Sequence, residues 1–200
     1  RPVELGAHVL VVGGGNAAMD AARTAWRVAP SAEVGLLYRR TRAEMPADGG
    51  EIAAARAEGI ALHELVMPTR VKVADGHVVA VECVRMELGG ADGSGRRVPI
   101  PVPGSEHERA CTAMIVCVSQ ASELMFLAGS GVKVSRRETV EVNAATGETS
   151  VSGIFAGGDV VRGPATVIKA VSDGQRIAET FLTRRQFSVP RRPRRLPKGL

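Results

Sequence analysis

The apolar positions of this chain change rhythm as it proceeds. Residues 9–12 form an unbroken apolar run that ends in three consecutive glycines, Gly13, Gly14 and Gly15. An unbroken run is the pattern of a parallel strand buried on both faces, whereas a strand with one wet face alternates. A helical pattern then occupies residues 17–29, is stopped by Pro30, and gives way to a second apolar run at residues 34–38. Strand, helix and strand with short links is the parallel crossover unit, which predicts a sheet with helices against it.

The crossover repeats once. An Ala-rich helical stretch at residues 48–58, closed by Gly59, leads to a strand candidate at 60–65. Residues 71–73 and 77–88 then read as strands joined by Asp75 and Gly76, a pair suited to a two-residue hairpin. Residues 89–95, rich in Gly, Asp and Ser, predict a loop, and 113–118 predict a buried strand that rejoins the parallel sheet. Past Gln120 the apolar runs shorten, with short strands predicted at 132–134 and 139–142, a short buried one at 154–156, and a helix at 166–181. The expected fold class is α/β: a Rossmann-like, three-layer dinucleotide-binding domain with an inserted β-meander, followed by a smaller second part.

Composition changes this picture little. With 44% apolar residues, 200 residues are enough for a core. No apolar run approaches the ~20 residues that span a bilayer. Arg1 to Glu4 lack the order of a signal peptide, so a soluble, cytoplasmic protein without a membrane partner is expected. Cys83, Cys111 and Cys117 are widely spaced among apolar neighbours, the pattern of buried thiols rather than of a metal or iron–sulfur set. The net charge of +5 suggests nucleic acid until it is located. Seven of the 26 basic residues fall in 184–200, a Pro-interrupted tail without an acid, and the rest of the chain is net negative. With so few aromatics to stack on bases, no nucleic-acid partner is expected.

The glycine turn carries the chemistry. A helix that opens directly after a strand points its free N–H groups and positive dipole end at an anion, which suits a dinucleotide pyrophosphate. Gly13 would make the tight turn and Gly15 would let the backbone near the phosphates, with Gly14, Asn16 and Ala17 completing the cradle; Ala18 holds the last small position of G-x-G-x-x-A. Where an NAD-binding unit has an acid for the ribose 2′-hydroxyl, this chain has Arg39 and Arg40. Guanidinium forks pair with a 2′-phosphate, so NADP(H) is the expected coenzyme.

A second motif runs from Gly153 to Asp159. Gly157 and Gly158 would let the backbone meet a ligand, and Asp159 could bond a hydroxyl; the same residues also fit a tight turn capped by an Asp. The helix near Thr166 would direct its N-terminus at the same ligand. His63, His77 and His107 lie on strand or loop patterns without a partnered nucleophile and are given no catalytic role.

Together these stretches resemble the flavin-dependent NADPH oxidoreductases typified by the small subunit of bacterial glutamate synthase. The resemblance spans about residues 8–183 and rests on Gly13 to Asp20, Tyr38 to Arg40, Glu44 to Ala47, Cys83 to Leu88, Pro101 to Glu106 and Gly153 to Asp159. It implies an NADPH-binding domain at 1–118 and the C-terminal half of an FAD-binding domain at 119–183, with 184–200 as a basic tail. It also implies that Gly157, Gly158 and Asp159 meet the flavin's ribityl chain and pyrophosphate, and that Ala165, Thr166 and Val167 lie beside its ring. Two departures stand out. Ser119, Gln120, Ala121 and Ser122 replace the family's Gly-Gln-Thr-Pro, and the family's first FAD half and cysteine-rich segment lie outside this sequence.

Two functions stay open on these grounds. One is an oxidoreductase subunit or fragment that takes hydride from NADPH to FAD and passes electrons to an iron–sulfur or larger catalytic partner. The other is an NADP(H)-binding module without turnover. In either, hydride chemistry belongs to the cofactors and no catalytic side chain is required.

Overall fold

A computed structural model describes residues 3–93 and 95–184 of the chain, so the basic tail lies outside the described residues except at Arg184. The chain divides into two compact units, residues 1–118 and 119–200.

The first unit is built on four parallel strands in the order β3-β2-β1-β8, with β1 at His8–Val12, β2 at Glu33–Tyr38, β3 at Ala61–Glu64 and β8 at Ala113–Val116. Helix α1 (Asn16–Val28) crosses from β1 to β2, and α2 (Gly49–Ala57) from β2 to β3. Residues 9–12 of β1 are apolar and buried because both faces are covered. Val9 and Val11 pack with Ala18, Met19 and Ala22 of α1 and with Ile52 and Ala55 of α2. Leu10 and Val12 face the other way, toward Val66, Val81 and Cys83. Those partners belong to the inserted antiparallel sheet of β4 (Val66–Ala74), β5 (His77–Ala91), β6 (Arg97–Pro101) and β7 (His107–Ala110). Helices, parallel sheet and meander are thus three layers, as the patterning predicts. Arg23 of α1 ties the two helices together through Glu51 and through Glu58, the latter at 2.9 Å.

The β4–β5 hairpin turns at Asp75 and Gly76, both with positive φ (50° and 77°), the backbone that the strand twist requires of a two-residue turn. The predicted loop at 89–95 begins later than expected. Gly89 and Gly90 belong to β5, and a Cβ at Gly89 would lie 2.7 Å from Ile100 Cδ1, so the missing side chain lets β6 pair closely. The expectation of a buried strand at 113–118 is corrected as well. β8 is an edge strand of four half-exposed or exposed residues, with Val116 62% exposed, because among the described residues it has a sheet neighbour, β1, on one side only.

In the second unit the expected strands at 132–134, 139–142 and 154–156 are not strands. They make single bridges, Val134 to Val140, Val142 to Thr149 and Glu148 to Phe155. Side chains that bond nearby backbone cut the ladders short. Ser135 Oγ accepts from the Arg137 and Thr139 amides, and Asn143 Oδ1 from those of Ala145 and Thr146. Ile154, expected to be buried, is 42% exposed. A short helix α3 (Asp159–Arg162) precedes α4 (Val167–Arg184), which starts one residue later than the sequence suggests. Phe155 and Phe181 of α4 meet edge to face, their ring centres 6.4 Å apart.

Candidate dinucleotide-binding site

The three glycines after β1 are glycine for different reasons. Gly13 has φ +146°, and a Cβ there would sit 2.3 Å from the Cys117 carbonyl oxygen, so the turn at this point demands the smallest residue. At Gly14 a Cβ would lie 2.4 Å from the Tyr38 ring, which lies against the loop with its hydroxyl donating to the Glu44 carbonyl at 2.9 Å. Gly15 is unlike both. Its φ of −94° and ψ of 176° suit any residue, and the nearest atom to a Cβ is Pro46 Cγ at 4.0 Å. Among the described residues, neither the backbone angles nor the space around a Cβ requires glycine there.

Gly15 is also the N-cap of α1. It offers no side-chain cap to the first turn of the helix, at Asn16 and Ala17, and no acid occupies that turn. Such a helix start carries uncancelled N–H groups and partial positive charge. The segment between β2 and α2 forms the second wall. The Ala47 amide donates to the Gly14 carbonyl (3.1 Å), and the Asp48 amide to Asn16 Oδ1 (2.8 Å). Asp48 in turn caps α2 through the Gly50 amide at 2.8 Å. Glu44 is committed to a capping box with Thr41, whose hydroxyl holds its carboxyl below the usual carboxylate range. Pro46 and Tyr38 lie in two of the stretches that carry the family resemblance, Glu44 to Ala47 and Tyr38 to Arg40, but the sequence does not show that they stand beside the glycine loop.

Arg39 and Arg40, read together in the sequence, part company in the structure. Arg39 is exposed and makes no hydrogen bond or ion pair among the described residues. Arg40 is 6% exposed, its Nε–H donating to the Arg97 carbonyl at 2.6 Å and its Nη2 lying 3.3 Å from Asp92 Oδ2. The expectation that both guanidinium groups stand free for a phosphate is therefore corrected for Arg40.

In the second unit the Gly157 to Asp159 turn is held from α4. A Cβ at Gly157 would lie 2.8 Å from Asp173 Cβ, so this glycine is set by packing. The Gly158 amide, at φ 72°, donates to Asp173 Oδ2 at 2.8 Å. Asp173 is 2% exposed and sits between Arg162 (2.6 Å) and Arg176 (2.8 Å). Arg162 first and the Gly158 amide second hold its carboxyl at about 2. The pattern gave no warning of Asp173, a polar residue amid a helical run. Asp159 is exposed and accepts from the Ala165 amide at 3.2 Å, the local cap that the sequence left open. Ala165, Thr166 and Val167 are exposed at the start of α4, Val167 to 79%.

Of the histidines, His63 lies on β3, with Nδ1 3.4 Å from Arg109 Nη1. His107 lies on β7 with Nδ1 3.0 Å from the Ser105 carbonyl oxygen. Cys83 and Cys111 are buried and Cys117 half-buried, and burial pushes all three thiols up. Among the described residues no His, Cys, Asp and Glu side chains group as a metal site, and no helix is long and apolar enough to cross a membrane.

A parallel sheet whose first strand turns through glycines into an uncapped helix defines the Rossmann class of nucleotide folds. Within that class, residues 1–174 match the pyridine nucleotide-disulphide oxidoreductase family, and the chain belongs to it. It is 49% identical over 173 residues to the NADP(+)-dependent formate dehydrogenase subunit beta of Moorella thermoacetica, an overlap of 86% of this chain and 24% of that relative. It is 38% identical over 176 residues to the glutamate synthase (NADPH) small chain of Azospirillum brasilense, covering 87% of this chain and 36% of the relative. The chain thus spans well under half the length of these curated relatives. Among solved structures, the T. acidophilum thioredoxin reductase shares the fold, with a TM-score of 0.71 at 21% identity over 91% of this chain and 54% of that one.

Proposed function

We propose that this chain binds NADP(H) through its first unit and contributes its second to an FAD site, in an oxidoreductase that takes hydride from NADPH to flavin. Gly15 carries the reading. Its side chain is absent where the fold has room for one, next to an uncapped helix start, which is the economy expected of a backbone that a pyrophosphate must approach. Gly13, Gly14, Asn16 and Ala17 would share that cradle, and Arg39 would meet the 2′-phosphate. Residues 1–118 are then the NADPH domain and 119–183 a flavin-domain half in which Gly158, Asp159 and the start of α4 would face the flavin. The coenzymes supply the hydride chemistry, and the chain's residues bind, orient and shield them.

Relatives named as a subunit beta and a small chain support a further partner subunit; iron–sulfur centres as its electron acceptor are part of the proposal and rest on the family resemblance alone. A binding module without turnover is the second reading. It is favoured by the second unit alone, where packing accounts for Gly157 and Asp159 is spent on a local cap. Calorimetric titration tests the first unit: NADPH should bind more tightly than NADH, and equal affinities would refute the coenzyme assignment. Flavin content of the chain purified with its partners separates the two functions, bound FAD supporting the enzyme and its absence the module.

A further inference from the structure

We propose that Asp92 and Arg40 form a clamp that sets coenzyme preference from outside the phosphate site, with Arg39 as the ligand and Arg40 as a positioning residue. This rests on the NADP(H) reading above. Residues 38–40 alternate, Tyr38 and Arg40 pointing into the protein and Arg39 out. Tyr38 is pinned through its hydroxyl to the Glu44 carbonyl. Arg40 is pinned on the other side of Arg39, by its Nε–H to the Arg97 carbonyl and by its Nη2 to Asp92. The backbone of Arg40 is held too, its carbonyl accepting from the Leu65 amide at 3.1 Å. Arg39 is thereby carried on a short span fixed at both ends.

Both partners of Arg40 belong to the β5–β6 hairpin, 52 and 57 residues further along the chain. That hairpin is itself organised around Asp92. The Asp92 carbonyl accepts from the Gly95 amide (2.8 Å), its amide donates to the Arg96 carbonyl (2.7 Å), and its Oδ1 accepts from the Arg96 amide (3.2 Å). The Arg97 side chain bonds back onto the Leu88 and Gly89 carbonyls. A buried guanidinium engaged in this way cannot serve a coenzyme phosphate without giving up the Arg97 carbonyl and the half-buried Asp92 carboxylate, a costly exchange for a group already out of water. The inserted meander therefore acts on the coenzyme through the rigidity of the Arg39 span, with no contact to the ligand.

The test is the NADPH:NADH affinity ratio of the full chain, measured by calorimetry on folded variants checked by near-UV circular dichroism. Arg39→Ala should lower the ratio by roughly 10- to 100-fold, the scale of one charge-assisted bond to phosphate. Asp92→Asn should lower it in the same direction by several-fold, and the double variant should be no worse than Arg39→Ala alone, because the clamp acts only through Arg39. Arg40→Lys, which keeps the charge but loses the Nε–H to the Arg97 carbonyl, should behave as Asp92→Asn does. A ratio that rises in Asp92→Asn would overturn the clamp, since it would mean that Arg40 is a phosphate ligand held in reserve. Full additivity of the double variant, or a ratio unchanged in Arg40→Lys, would overturn it too. If the wild-type ratio is already one, the NADP(H) reading itself has failed and the clamp with it.

Discussion

Gly15→Val adds three carbon atoms at a position where the nearest heavy atom to a Cβ is 4.0 Å away, so the fold should accept it. The backbone at φ −94° and ψ 176° is extended, the region that β-branched residues prefer. Valine is a poorer N-cap than glycine, by roughly 0.5–1.5 kcal/mol, but it also restricts the unfolded chain, which returns about 0.4–1 kcal/mol. The net change in stability should stay within about 1 kcal/mol, a shift of a few degrees in melting temperature. Binding is different. If the side chain holds the pyrophosphate away from two backbone N–H groups, the loss is about 3–6 kcal/mol at roughly 1.5–3 for each charged bond, which weakens NADPH by about 10²- to 10⁴-fold. Gly13→Ala is the control, because its Cβ would meet the Cys117 carbonyl oxygen at 2.3 Å in a backbone of φ +146°. It should lower stability by at least about 1–3 kcal/mol whether or not coenzyme is present. Thermal melts and calorimetry on both variants decide the matter. Normal NADPH binding by Gly15→Val would refute the assignment of this loop as the phosphate site, and a collapse of the fold in that variant would refute the claim that the glycine serves the ligand.

Two further expectations concern pH. Asp173, held at about 2 against an ordinary 3.8 by Arg162 and the Gly158 amide, gives stability that is present above about pH 4 and lost as pH falls toward 2. Asp173→Asn should therefore lower the melting temperature at neutral pH and flatten its fall in acid; an unchanged acid limb by circular dichroism would show that another group governs it. His63 is pushed below its ordinary 6.5 by burial and then by Arg109, so protons bind the unfolded chain more readily. Stability should decline as pH falls through 6.5 and below, and His63→Gln should remove part of that decline; identical pH profiles would argue against it.

Much of the first unit is written in local pattern. The run at residues 9–12, the glycines behind it and the helix that follows fix strand, turn and crossover among near neighbours, and Asp75 and Gly76 fix a hairpin by the backbone they can adopt. The helical pattern at residues 166–181 is realised in α4, at Val167–Arg184, for the same reason. The second unit's strands misled because a strand-like pattern of three or four residues says nothing about whether a partner ladder can extend, and side chains such as Ser135 and Asn143 stop it. The site divides along the same line. The sequence placed the glycine turn, with Gly13 for the turn itself and Gly15 for the phosphates, and a pair of arginines at the end of β2, but it treated the arginines as equals. Only the folded chain separates them. The Tyr38 ring, the Cys117 carbonyl and the β5–β6 hairpin reach these positions from elsewhere in the sequence, leaving Gly15 and Arg39 open while they occupy Gly13, Gly14 and Arg40. Residue type and spacing determine what a position could bind; which of its groups are already bound depends on contacts tens of residues apart, and those exist only once the topology has brought them together.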